Sequence, residues 1–155
     1  MAVIMAMENT AREDGTPVLR AMADALREGL LEADAKGRIP EPDLSIMWSL
    51  LVGIDAYAAT GLGCTHDAEN LGQTLSLIRL MQGRPVRAVA DVFERTARDA
   101  IRAWLCVPRH HGRKRVPMTT GDCASVRFGL FLASFLAGLA DGMRARERKR
   151  RQGMN

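Results

Sequence analysis

The chain predicts an all-α fold, a compact bundle of about five helices, on three observations. Aromatic residues make up only 5% of it, while alanine, leucine and methionine are frequent and β-branched runs are nearly absent, which favours helix over strand. Apolar residues recur at three- and four-residue intervals through most of the chain. The 155 residues, 47% of them hydrophobic, suffice for one domain whose core needs neither disulfide nor metal. The expected organisation is a flexible segment over 1–15, a single helical domain over 16–143 with a basic loop before its last helix, and a basic tail over 144–155.

Thr16 and Pro17 mark the first helix start. "PVLRAMADALREGLLEADAKG" then sets Val18, Met22, Leu26, Leu30 and Ala33 on one face and Asp24, Arg27, Glu28 and Glu32 on the other, ending at Gly37. After "RIPEP", the segment "DLSIMWSLLVGIDAYAATGLG" is apolar nearly all round and belongs at the centre of a bundle or at a subunit interface. Its Gly61 and Gly63 follow no strand and lack a third glycine at dinucleotide-binding spacing, so they read as a helix stop. The third segment, "DAENLGQTLSLIRLMQG", carries Leu71, Leu75, Ile78 and Met81 at helical spacing; the fourth begins at Arg84 and Pro85.

The last helix is expected to be capped by Asp122. It holds two small-residue ridges, Gly129, Ala133 and Ala137, and Ser134, Gly138 and Gly142, as a tightly packed central or dimerising helix would. Its longest run without an ionisable side chain, Phe128 to Ala140, is 13 residues, too few to span a bilayer. The opening "MAVIMAMENTARED" has neither a basic n-region nor a long apolar stretch. Together with three cysteines, an odd number, this points to a cytoplasmic chain with reduced thiols.

The net charge of +4 is unevenly spread: residues 1–60 carry −5 and residues 61–155 carry +9. The C-terminal part is therefore the half that attracts a polyanion. Two clusters stand out. "CVPRHHGRKRVP" places Arg109, Arg113, Lys114 and Arg115 within seven residues beside two histidines, with Gly112 allowing close backbone approach to a phosphate. Arg144, Arg146, Arg148, Lys149, Arg150 and Arg151 crowd the C-terminus. If the last helix runs antiparallel to its neighbour, these clusters lie at opposite ends, separated by about 1.5 Å per residue of helix.

"GRPVRAVADVFERTARDAIRAWL", Gly83 to Leu105, resembles the helix-turn-helix of resolvase-type and small plasmid-repressor DNA-binding domains. It has a proline at its start, Ala90 inside the first helix, Phe93 three residues on, and a basic second helix. The resemblance implies a supporting helix over Val86 to Phe93 and a turn over Glu94 to Thr96, with Arg95, Arg98 and Arg102 facing the nucleic acid. The turn position where glycine is usual holds Glu94. One continuous amphipathic helix also accounts for the segment: Val86, Val89, Ala90, Phe93, Ala97, Ala100, Ile101, Trp104 and Leu105 keep an unbroken helical rhythm. On the other face, Asp91 and Arg95, Glu94 and Arg98, and Arg95 and Asp99 pair at four-residue spacing.

Zinc would find Cys106, His110, His111 and Cys123, with Cys64 and His66 farther off. Without a C-x-x-C pair the better reading is a buried thiol at Cys106 and solvent-facing histidines, with no metal or other cofactor. No Walker loop, zinc-protease helix or framed nucleophile is present, and Cys64 beside His66 and Asp67 has only sequence adjacency, so no enzyme is expected. The expected function is a small cytoplasmic nucleic-acid-binding regulator or accessory protein, most simply a DNA-binding homodimer. Its contacts would be Arg95, Arg98, Arg102, Arg109, Arg113, Lys114, Arg115, Arg148, Lys149 and Arg150. The alternative is a protein-interaction module, an adaptor or inhibitor whose basic surface meets an acidic protein.

Overall fold

A computed structural model of the chain describes residues 13–110 and 119–153, apart from the side chains of residue 42 and residues 106–110. Among the described residues there are five helices and no strand: α1 (Thr16–Ala35), α2 (Glu41–Ala59), α3 (Thr65–Leu80), α4 (Val86–His110) and α5 (Thr120–Arg151). The all-α bundle is as expected.

Each start has a local cause. Pro17 sits in the first turn of α1, where the Thr16 N–H donates to Asp14 Oδ1 at 2.9 Å. Pro40 precedes α2, and Glu41 and Asp43 place carboxylates in its first turn, the end the helix dipole makes positive. Cys64 opens α3, its N–H donating to Asp67 Oδ2 at 2.9 Å. α5 opens on a reciprocal cap: the Asp122 N–H donates to Thr119 Oγ1 at 3.0 Å and the Thr119 N–H to Asp122 Oδ2 at 3.1 Å. The cap is thus Thr119, with Asp122 as its partner one turn inside, because the capping residue must be extended, as Thr119 is at φ −69°, ψ 163°. Gly61, at φ +70°, takes the left-handed conformation that ends α2, so the helix-stop reading of this stretch holds.

α5 is the central helix, with Phe128, Gly129, Leu132, Ala133, Phe135, Leu136, Leu139 and Ala140 all buried. On one flank Gly129 admits the Trp104 ring, which occupies the space a Cβ would need, and Arg144 reaches Asp91 and Glu94. α4 therefore runs antiparallel to α5. On the opposite flank Phe131 fills the space above Gly53 and Arg146 pairs with Asp43 at 2.9 Å, so α2 is antiparallel to α5 as well. The first small-residue ridge is used in packing within the chain. Of the second, Ser134 and Gly138 are exposed and Gly142 lies near Ile46.

Three expectations shift. α2 flanks the bundle rather than forming its centre, and its Val52 is 66% exposed; Gly129 of α5 admits Trp104 on one side and Gly53 of α2 admits Phe131 on the other, so α5 takes the middle. In α1 the buried stripe is Leu19, Ala23 and Leu30, with Met22 and Leu26 half-buried and Val18 exposed. The stripe is rotated because the stretch before α3 passes over α1 and seats Gly63 on Leu19. That stretch also holds residues 13–15, expected as part of a flexible segment: Gly15 N–H donates to the Gly63 carbonyl at 3.0 Å and Thr65 N–H to that of Glu13 at 2.9 Å.

Candidate nucleic-acid interface

α4 is a single uninterrupted helix of 25 residues. The turn that the helix-turn-helix resemblance places at Glu94 to Thr96 does not exist, and that implication is corrected: nothing in "FERTAR" stops a helix, and Val89, Ala90, Phe93 and Ala97 form one buried stripe across the supposed junction. A recognition helix set at an angle to a supporting helix is therefore absent.

Continuity has a consequence for charge. At about 100° per residue, Arg87, Arg95, Arg98 and Arg102 fall within an arc of about 80° on the side of the helix away from the core stripe, and all four are exposed. From Arg87 to Arg102 the row runs about 22 Å along the helix axis. Asp91 and Glu94 share this surface. Arg144, reaching across from α5, donates to Asp91 Oδ1 and Glu94 Oε2, each at 2.7 Å. These two hydrogen bonds hold its guanidinium pKa above the ordinary value. Arg98 lies 3.5 Å from Glu94, whereas Arg87, Arg95 and Arg102 have no carboxylate within ion-pair distance among the described residues. With Arg144 counted, the face presents five arginines to three carboxylates, the third being Asp99 at its edge.

The C-terminal basic run is the end of α5, helical to Arg151, rather than a separate tail. Arg150 and Arg151 both reach Glu147, at 2.9 and 3.6 Å, while Arg148 and Lys149 are exposed. The antiparallel register set by Arg144 brings this end beside Arg84 and Arg87, at the start of α4. Arg109 lies near the C-terminal end of α4, but its side chain, like Arg113, Lys114 and Arg115, is outside the described residues. Cys106 and His110 as thiol or imidazole, and His111 altogether, are outside them too.

Sequence reading missed a buried polar cluster where α2, α3 and α5 meet. Asp67, 2% exposed, accepts at Oδ2 from the Tyr57 hydroxyl (2.6 Å), the Cys64 N–H (2.9 Å), the Ser125 hydroxyl (3.1 Å) and, more weakly, the Cys64 thiol (3.4 Å). Tyr57 also stacks on Phe128, centroids 4.3 Å apart. Burial first, and then the bond to Asp67, push the Tyr57 phenol well above its ordinary pKa. The available signal was the capping spacing of "CTHD", Cys64 to Asp67. His66 is exposed and points to Glu69 at 3.5 Å, not to Cys64. With Cys64, Asp67 and Ser125 all buried, the cluster ties three helices together.

Two surface clefts lie away from α4. One of about 610 Å³ runs along α3 past Gly72, Ser76 and Leu80; one of about 410 Å³ lies between Asp14, Gly61 to Gly63 and Thr119 to Gly121. α5 is long and apolar enough to cross a membrane by length and composition, with mean hydropathy 1.7 over an 18-residue window, 50% of which is buried in the bundle. The 13-residue count missed this because it stopped at the first charge. No family model, curated protein or solved structure matches the chain.

Proposed function

We propose that the chain binds nucleic acid through phosphate contacts made by the outer face of α4, acting as a small helical regulator or accessory protein. One observation carries this reading. Arg87, Arg95, Arg98 and Arg102 form a single exposed row on one continuous helix, and Arg144 bridges the two acids set among them, leaving the face five arginines to three carboxylates. Arginine presents a planar fork of donors suited to phosphate oxygens and keeps its charge at any working pH. A row fixed by helix geometry meets a polyanion with less ordering cost than the same charges on a loop. Arg148 and Lys149 add exposed positive charge at the end of α5. Without a separate recognition helix, binding is expected to follow charge rather than base sequence.

The test is fluorescence anisotropy with a labelled 20-base-pair duplex across a salt series. The wild-type chain should bind with an affinity that falls linearly in log–log form. The variant R95Q/R98Q/R102Q should bind at least ten-fold more weakly at low salt and show a slope smaller by about 2.7, since each phosphate contact contributes about 0.9. No binding by the wild-type chain at the lowest salt would overturn the reading in favour of an acidic protein partner for the same arginines.

A further inference from the structure

We infer that the α4 face takes double-stranded nucleic acid in preference to single strands. This rests on the reading of α4 as a phosphate-binding surface and deepens it. Proteins that hold single strands combine a basic groove with aromatic side chains on which successive bases stack, each stack contributing on the order of 1–3 kcal/mol. The chain has seven aromatic residues, and every one of them lies among the described residues and turns inward. Phe93, Phe128 and Phe135 are buried. Trp48, Tyr57 and Phe131 pack against the core, and Trp104 lies over Gly129 on the side of α4 facing α5. None of the seven is exposed, so the arginine row has no aromatic platform beside it.

Coulomb attraction is then the force left to the surface, and it follows the charge density of the ligand. A duplex presents one phosphate per about 1.7 Å of axis, a single strand one per about 3.4 Å. Along the roughly 22 Å between Arg87 and Arg102 the duplex offers about twice as many charges. It is also already straight and stiff, as α4 is, whereas a strand without stacking partners must be ordered against the row at an entropic cost.

The experiment compares the same labelled 20-base-pair duplex with one of its own strands, using the full chain and R95Q/R98Q/R102Q, with circular dichroism confirming that the variant keeps its helix content. The wild-type chain should bind the duplex at least ten-fold more tightly at moderate salt, and the strand should leave tryptophan fluorescence unquenched. A strand bound as tightly as the duplex, or one that quenches tryptophan, overturns the preference; if the variant is also weakened, the α4 reading survives it. Duplex affinity undiminished in the variant overturns both, because α4 is then not the surface. Absence of binding to either ligand at the lowest salt also overturns both.

Discussion

At the scale of single residues, Asp67 and Tyr57 govern the interior. Three good donors converge on one carboxyl oxygen, and removing that oxygen takes from the Tyr57 phenol, the Ser125 hydroxyl and the Cys64 N–H the acceptor they share. Asp67→Ala is therefore expected to destabilise the chain by about 3 kcal/mol in urea unfolding. Tyr57→Phe keeps the stack on Phe128 and loses one hydrogen bond, an expected cost of about 1.5 kcal/mol. Tyr57 is also the only tyrosine, so phenolate absorbance reports it alone. Its folded-state pKa lies above that of the unfolded chain. Its contribution to stability is therefore complete below about pH 10, the ordinary phenol value, and is lost as pH rises toward the folded value. Phenolate should appear together with alkaline unfolding rather than before it, and Tyr57→Phe should flatten that alkaline loss. Ionisation near pH 10 with helix content intact would contradict the buried assignment.

At the scale of elements, helix junctions and close approaches set the tolerances. Thr119→Ala removes the side-chain half of the α5 cap and is expected to cost about 1 kcal/mol. Of the glycines where a Cβ has no room, two contrast in what blocks it. At Gly129 it would fall 2.2 Å from the Trp104 ring, and at Gly15 it would fall 2.2 Å from the Cys64 carbonyl oxygen. Gly129→Ala should cost about 1–3 kcal/mol with a changed tryptophan emission, since an indole can shift. Gly15→Ala should cost more, since the obstacle is backbone held by hydrogen bonds to Glu13 and Gly15. Equal thermal stability of the two variants would mean that the Gly15 crossing is looser than this geometry implies. The starts of these helices were legible in advance at Pro17 and Pro85. Which of Thr119 and Asp122 caps α5 was not, because the two side chains satisfy each other and only backbone conformation distinguishes them.

At the scale of the whole molecule, the electrostatics of α4 are decided by α5. Arg144 belongs to a different helix from the acids it covers, so the net charge of the α4 face cannot be counted along α4 alone. Arg144→Gln should uncover Asp91 and Glu94 and weaken duplex binding several-fold, while changing stability by less than about 1 kcal/mol, as expected for exposed ion pairs. Anisotropy and urea unfolding on the same sample separate the two effects; unchanged binding would mean that Asp91 and Glu94 do not face the ligand. Much of the candidate site was legible: Arg95, Arg98 and Arg102 follow from periodicity, and the unbroken rhythm from Val86 to Leu105 already described one helix. Arg87 and the covering role of Arg144 were missed. The first lies on what the resemblance makes the supporting helix, away from the recognition helix, and the second is a contact between residues some fifty positions apart.

The sequence by itself determined the secondary structure, the number of helices and the asymmetry of charge. These follow from local propensity, proline and glycine punctuation, and three- and four-residue periodicity, all of which act within a turn or two of chain. Only the tertiary structure decided that α5 rather than α2 is central, that the stripe of α1 faces Gly63, that Tyr57, Cys64, Asp67 and Ser125 meet, and that Arg144 of α5 covers Asp91 and Glu94 of α4. Each of these depends on which helix approaches which, and that is set by the room left at Gly53 and Gly129 and by pairings between distant residues. Apolar patterning shows that a face is buried, but not against what.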